Sequence, residues 1–104
     1  MKIPKKFVIK GKQWKVSWRK QVMYLGDECD GLADGEKRTI YLSKACDPSL
    51  HQSVFMHELV EAIIFELHLA GHDNSISPLA KEVLCDGVAD IFLDLFTLEW
   101  RANE

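Results

Sequence analysis

The segment from Val54 to Phe65 constrains the fold of this chain more than any other. Its sequence, VFMHELVEAIIF, is apolar on nearly all sides of a helix, and a helix with that pattern is buried. The chain has 104 residues, of which 47% are hydrophobic, and this is the length and balance of one globular domain. We therefore expect a single domain, residues 1–104, built around this helix.

The residues before the helix have the pattern of β-strands. Residues 7–9 and the alternating residues 14–18 flank a turn at residues 10–12, which predicts a first hairpin. Residues 29–33 and 39–42 flank the turn residues 34–37 and predict a second hairpin.

Two cap signals begin two predicted helices. Asp47-Pro48 and Ser77-Pro78 combine a favoured N-cap residue with a proline at the first helical position. The first helix should run from about residue 48 to residue 69, and the second should reach toward residue 100. Strands followed by helices predict an α+β domain, with an N-terminal antiparallel sheet of two hairpins followed by two antiparallel helices.

Polar residues inside the apolar helix form a pattern of their own. His57, Glu58 and Glu61 share a wedge about 100° wide, at about 100° per residue. Because a buried unpaired carboxylate is costly, proteins pair it, shift its pKa or give it a metal. His57 and Glu61 lie one turn apart and can bind one ion, while Glu58 points to the flank as a general base, as in H-E-x-x-H zinc peptidases. A half-buried His57–Glu61 ion pair is the alternative interpretation.

The motif has glutamate where the second histidine normally stands, so the ion is Zn²⁺ or another divalent metal such as Mn²⁺. Antiparallel folding of the second helix should place Asp86 opposite His57 and Glu61 as the third ligand. Gly87 should allow the two helices to approach closely. His72 is the alternative third ligand, and it requires the first helix to end well before residue 71. The acidic row formed by Glu82, Asp90 and Asp94 is interpreted equally well as a solvated face.

Several stretches together resemble one family: residues 3–7 with 11–16, residues 31–34 with 39–43, and residues 55–63. They are similar to small phage and prophage proteins described as zincin-type metallopeptidases. Residues 86–89 resemble the acidic and small residues on the second helix of such proteins, and His72 would match the later histidine of relatives with His-Glu-x-x-Glu. The resemblance implies a minimal zincin fold, a bound divalent metal and peptide hydrolysis.

Three functions follow as hypotheses. In the first, a metallopeptidase, His57, Glu61 and Asp86 hold the ion, Glu58 is the catalytic base, and the sheet edge at residues 39–43 aligns an extended peptide or protein substrate. In the second, a non-catalytic or regulatory metal-binding protein, carboxylates fill the open metal position. In the third, the N-terminal hairpin binds nucleic acid or an acidic partner.

The charge distribution motivates the third hypothesis. Eight of the thirteen basic residues lie among the first 20 residues, where there is no acid. A solvated strand face with tryptophans on its core side is favoured over nucleic-acid binding. Three cysteines without a C-x-x-C pair indicate reduced thiols. No apolar run approaches the roughly 20 residues of a membrane span, so we expect no membrane partner and a cytoplasmic location, in the host cell if the gene is phage-encoded.

Overall fold

The computed structural model describes residues 2–70, 77, 79–80 and 82–89, without the side chains of residues 68–70. The elements of this part of the chain are β1 (Lys6–Ile9), β2 (Lys12–Arg19), β3 (Val22–Tyr24), β4 (Asp27–Cys29), β5 (Gly31–Asp34), β6 (Thr39–Ser43), a 3-10 turn (Pro48–Leu50) and α1 (His51–Ala70). Residues 82–89 are helical and are called α2, and residues 79–80 are helical as well. The α+β prediction is confirmed.

Four strands form the main sheet, in the order β1-β2-β6-β5. Both predicted hairpins are present, because β1 pairs with β2 and β5 pairs with β6 in antiparallel register. The two hairpins join through β2 and β6, which run parallel, so the sheet is mixed. A third hairpin, β3–β4, was not predicted, and its turn carries Leu25 and Gly26 at positive φ, which is typical of a tight two-residue hairpin.

The strand at residues 39–43 is not a sheet edge. β6 lies between β2 and β5 and pairs with both, so it has no main-chain groups left for an added strand. The expectation that these residues align a substrate is therefore wrong. On this side of the sheet the outer strand is β5, which in the described part of the chain pairs with β6 alone.

Helix α1 is buried on two sides, as its apolar pattern predicts. One side packs on the sheet in a core made of Trp14, Ile40, Leu42, Phe55 and Ala62. Another side packs on α2, where Met56, Val60 and Ile64 meet Cys85 and Ala89. The predicted start at residue 48 is a 3-10 turn capped by Asp47, whose Oδ1 accepts a hydrogen bond of 2.9 Å from the Ser49 N–H.

The close approach of the two helices does not depend on Gly87. This glycine is exposed, and a Cβ added to it would meet no described atom within 4 Å. The expectation for Gly87 is wrong, because Cys85 and Ala89 provide the small buried surface that contacts α1. Among the described helices, none is long and apolar enough to cross a membrane.

The N-terminal basic residues lie on the surface. All eight are exposed, whereas Trp14 is completely buried and its Nε1 donates a hydrogen bond of 2.9 Å to Glu66. Trp18 is partly exposed and packs edge-on against His51, with ring centroids 4.8 Å apart. The predicted core orientation therefore holds fully for Trp14 and only in part for Trp18.

Candidate metal centre

The polar wedge of α1 lies between the two apolar contacts of that helix. Phe55 and Ala62 face the sheet, whereas Met56 and Val60 face α2. His57 and Glu61 therefore lie beside the junction of sheet and helices, where both are half-buried. The wedge is exposed enough for an ion or substrate to reach it and enclosed enough to strengthen electrostatic interactions.

The His57 imidazole is surrounded by four carboxyl groups. Its Nδ1 lies 2.8 Å from Asp86 Oδ1. Its Nε2 lies 3.9 Å from both Glu61 Oε2 and Glu82 Oε2, and 4.0 Å from Glu58 Oε2. Even a protonated imidazole offers a single positive charge to this group. A simple His57–Glu61 ion pair therefore does not describe the cluster, because it leaves the other three carboxyls without compensation from His57.

Glu58 is the most perturbed acid in the described part of the chain. Its side chain is buried, and this burial together with the negative charge and hydrogen bond of Glu61 raises the pKa of Glu58 from 4.5 to about 8. The charge of Glu82 raises it further, and a hydrogen bond from the Ala33 main chain opposes the change. At neutral pH and without a cation, Glu58 is therefore mostly protonated.

Two sets of donor atoms have metal-site spacing. His57, Glu61 and Cys85 form one set, His57, Glu82 and Asp86 form the other, and within each set the atoms lie within 4.8 Å of one another. Two ligand atoms about 2.1 Å from one tetrahedral ion lie about 3.4 Å apart. Small side-chain rotations would thus bring either set into contact with an ion, so a His-Glu-Asp or His-Glu-Cys group could hold a metal.

An open pocket of about 590 Å³ lies beside these donors. Its walls come from β4, the start of β5, α1 and α2, and they include Asp30, Val54, His57, Glu58 and Asp86. Gly31 is part of the wall and packs closely on α1. A Cβ at this position would lie 2.8 Å from Val54 Cγ1 and 3.1 Å from Glu58 Cγ. The absence of a side chain at Gly31 lets β5 pass directly over α1 at the position of Glu58.

The outer edge of β5 begins at this pocket, because Gly31 is the residue of β5 that lines it. The Asp30 carbonyl accepts a hydrogen bond from the Ser43 N–H of β6. Because antiparallel pairing alternates along a strand, the main-chain groups of Gly31 and Ala33 face away from β6. The hydrogen bond from Ala33 to Glu58 agrees with that direction.

The structure brings together His57, Glu58, Glu61 and Asp86, four of the five residues that the sequence singles out. The fifth, His72, lies outside the described residues, as do Asp90 and Asp94.

Two further candidates were missed as ligands. Glu82, one member of the acidic row, has a side chain that is 58% exposed and yet reaches His57. Cys85 is fully buried and has the sequence signal of an ordinary core residue.

The chain matches no protein-family model, no curated protein and no solved structure. The likeness to zincin-type metallopeptidases therefore stays a prediction, and function has to be inferred from the site itself.

Proposed function

We propose that this chain is a metal-dependent hydrolase of the peptidase type. One observation carries the proposal: a buried glutamate, Glu58, lies 4.0 Å from the Nε2 atom of His57, beside the donors that could hold a metal and on the wall of an open pocket. Acids with strongly raised pKa values in a cleft, next to a specific charged partner, are typical of catalytic sites. An ion pair at the protein surface would not require Glu58 to be buried.

The residues of α1 divide the work between binding and proton transfer. His57 and Glu61 hold the ion, because their side chains project from adjacent turns and their nearest atoms are 3.9 Å apart. A bound divalent ion would polarise a carbonyl group and lower the pKa of water. Glu58 accepts the proton of the attacking water and later returns it to the leaving amine, a role suited to an acid with a pKa near neutrality.

The substrate we propose is an extended peptide or protein segment. The main-chain groups of Gly31 and Ala33 face away from β6, and strand addition to a sheet edge would use such groups, with the hydrogen bond from Ala33 to Glu58 released first. An added strand there would pass beside Glu58, since Gly31 lies against that side chain. This edge takes the role that the sequence assigned to residues 39–43.

Metal content and turnover, measured together, test this proposal. Metal-free protein is reloaded with Zn²⁺ or Mn²⁺, its metal content is determined, and hydrolysis of a quenched fluorescent peptide library is followed. Glu58→Gln should keep the metal and lose turnover, whereas His57→Ala should lose both. Glu36→Gln is the matched control, because this exposed turn glutamate lies outside the pocket. An unloaded wild type after reconstitution, or a Glu58→Gln variant with full turnover, would contradict the proposal.

A non-catalytic metal-binding protein is the second candidate. The number of donors favours it: Glu61, Glu82, Cys85 and Asp86 all lie near His57. Four protein ligands would close the coordination sphere and leave no position for water. X-ray absorption of the loaded protein distinguishes the two functions, because a closed sphere of protein donors supports this candidate and an open position supports the hydrolase.

Nucleic-acid binding by the N-terminal hairpin stays a prediction. The exposed basic residues favour it, but the burial of Trp14 removes one of the two tryptophans that could stack on bases. Steeply salt-dependent binding that is lost on substitution of Lys12 and Lys15 is the measurement that decides it.

A further inference from the structure

The structure assigns Cys85 as the third protein ligand of the metal, beside His57 and Glu61, and it assigns Asp86 the task of orienting His57. This inference rests on the metal site of the proposed function and specifies its ligands and its metal. The sequence pattern predicts carboxylate or histidine ligands only, so a thiolate changes the chemistry of the site.

Geometry places Cys85 within reach of the ion. The donor atoms of His57, Glu61 and Cys85 lie within 4.8 Å of one another. In a tetrahedral site with a zinc–sulfur bond of about 2.3 Å, sulfur lies about 3.6 Å from the nitrogen and oxygen ligands. The separations therefore exceed the ideal ones by at most about 1 Å, which small rotations of the three side chains can supply.

The Asp86 contact determines which histidine nitrogen is available. Asp86 Oδ1 lies 2.8 Å from Nδ1 of His57, so a neutral imidazole donates its Nδ1 proton there and keeps a lone pair on Nε2. That nitrogen faces Glu61 at 3.9 Å. A carboxylate that holds the far side of a ligating histidine is a recurrent feature of metal sites. Asp86 therefore acts as a positioning residue.

Burial distinguishes Cys85 from the exposed carboxylates. Its residue is completely buried against Met56 and Val60 of α1, whereas the side chains of Glu82 and Asp86 are 58% and 70% exposed. Thiolate ligation selects Zn²⁺ over Mn²⁺.

Cobalt substitution tests the assignment directly. Metal-free full-length protein is titrated with Co²⁺, bound cobalt is counted, and the near-ultraviolet spectrum is searched for the thiolate-to-cobalt charge-transfer band. We expect one cobalt per chain and the band in wild type, and loss of the band with at least tenfold weaker binding in Cys85→Ser. Cys46→Ser is the matched control, because Cys46 is also buried but does not belong to the donor set, and it should leave the band unchanged.

A second measurement avoids the need for a folded Cys85 variant. Alkylation of wild-type thiols is followed with and without Zn²⁺, and Cys46 reports the general slowing that follows from metal-induced stabilisation. The inference requires Cys85 to be slowed at least tenfold more than Cys46. Equal slowing overturns it, as does a stoichiometric cobalt complex without a thiolate band, and in both cases the proposed hydrolase stands. A chain that takes up no cobalt and no zinc overturns the inference and the proposed function together.

Discussion

The buried carboxyl of Glu58 should make the metal-free protein less stable as the pH rises. The folded-state pKa is about 8, against an ordinary value of 4.5. Below pH 4.5 the Glu58 carboxyl is protonated in both the folded and the unfolded chain, so it does not change the free energy of unfolding. As the pH rises above that value, the unfolded chain ionises while the folded chain holds its proton, so the free energy of unfolding falls until the pH reaches about 8.

The size of this effect follows from the two pKa values. Each tenfold change in a proton dissociation constant is worth about 1.4 kcal/mol. Ionisation of Glu58 should therefore lower the free energy of unfolding by about 4 kcal/mol between pH 4.5 and pH 8. Glu58→Gln removes the ionisation and keeps an amide oxygen to accept the hydrogen bond from Ala33. The variant should be more stable than wild type at pH 8, and the difference in their free energies of unfolding should disappear toward pH 4.5.

Urea unfolding of chelator-treated protein at a series of pH values measures this difference. Glu36→Gln is the control, because this glutamate is exposed and lies outside the pocket. If Glu58→Gln and wild type lose stability in parallel between pH 4.5 and pH 8, the carboxyl is not held protonated by its surroundings. The acid–base role proposed for Glu58 would then lose its physical basis.

Three further predictions test the surroundings of the site. Glu66→Gln should destabilise the chain by roughly 2 kcal/mol at neutral pH, because Glu66 accepts hydrogen bonds from Arg38 and Trp14 that lower its pKa. The stabilisation by the ionised Glu66 carboxylate is lost as the pH falls through that lowered pKa. Unfolding curves of the variant and the wild type should therefore converge in acid. Gly31→Val should lower metal-dependent hydrolysis and stability together, since the added side chain meets α1, and normal values of both in activity and melting assays would refute the close approach. Asp86→Asn should weaken Zn²⁺ binding about 10- to 100-fold, and calorimetry showing unchanged affinity would remove its orienting role.

Local patterns made much of the fold predictable. Period-two alternation in β2 and the turn before it indicated the first hairpin, and the apolar segment around His57 indicated a buried helix. The parallel pairing of β2 with β6 was not predictable, because three other strands lie between them in the sequence and the pairing depends on long-range packing. The β3–β4 hairpin was missed since its strands are three residues long and mostly exposed.

The site was predictable where it depends on spacing within one helix. His57 and Glu61 lie one turn apart in any regular helix, and antiparallel helices then place Asp86 near them. The contribution of Cys85 was not readable in the same way, because a thiol among apolar residues has the composition of a core position. Its distance from Glu61 depends on the rotation of α2 about its own axis, which a single sequence does not specify.

Two glutamates of α1 show how the surroundings of a buried acid change its pKa. Glu66 and Glu58 are both buried, with 6% and 7% of their surface exposed. Hydrogen bonds from Arg38 and Trp14 lower the pKa of Glu66, whereas burial, together with the neighbouring acids, raises the pKa of Glu58. A domain of this size has a total stability of roughly 5–15 kcal/mol, so a cost of about 4 kcal/mol at Glu58 is a large fraction of it. A bound cation would relieve this cost, and the donor groups around His57 could hold one.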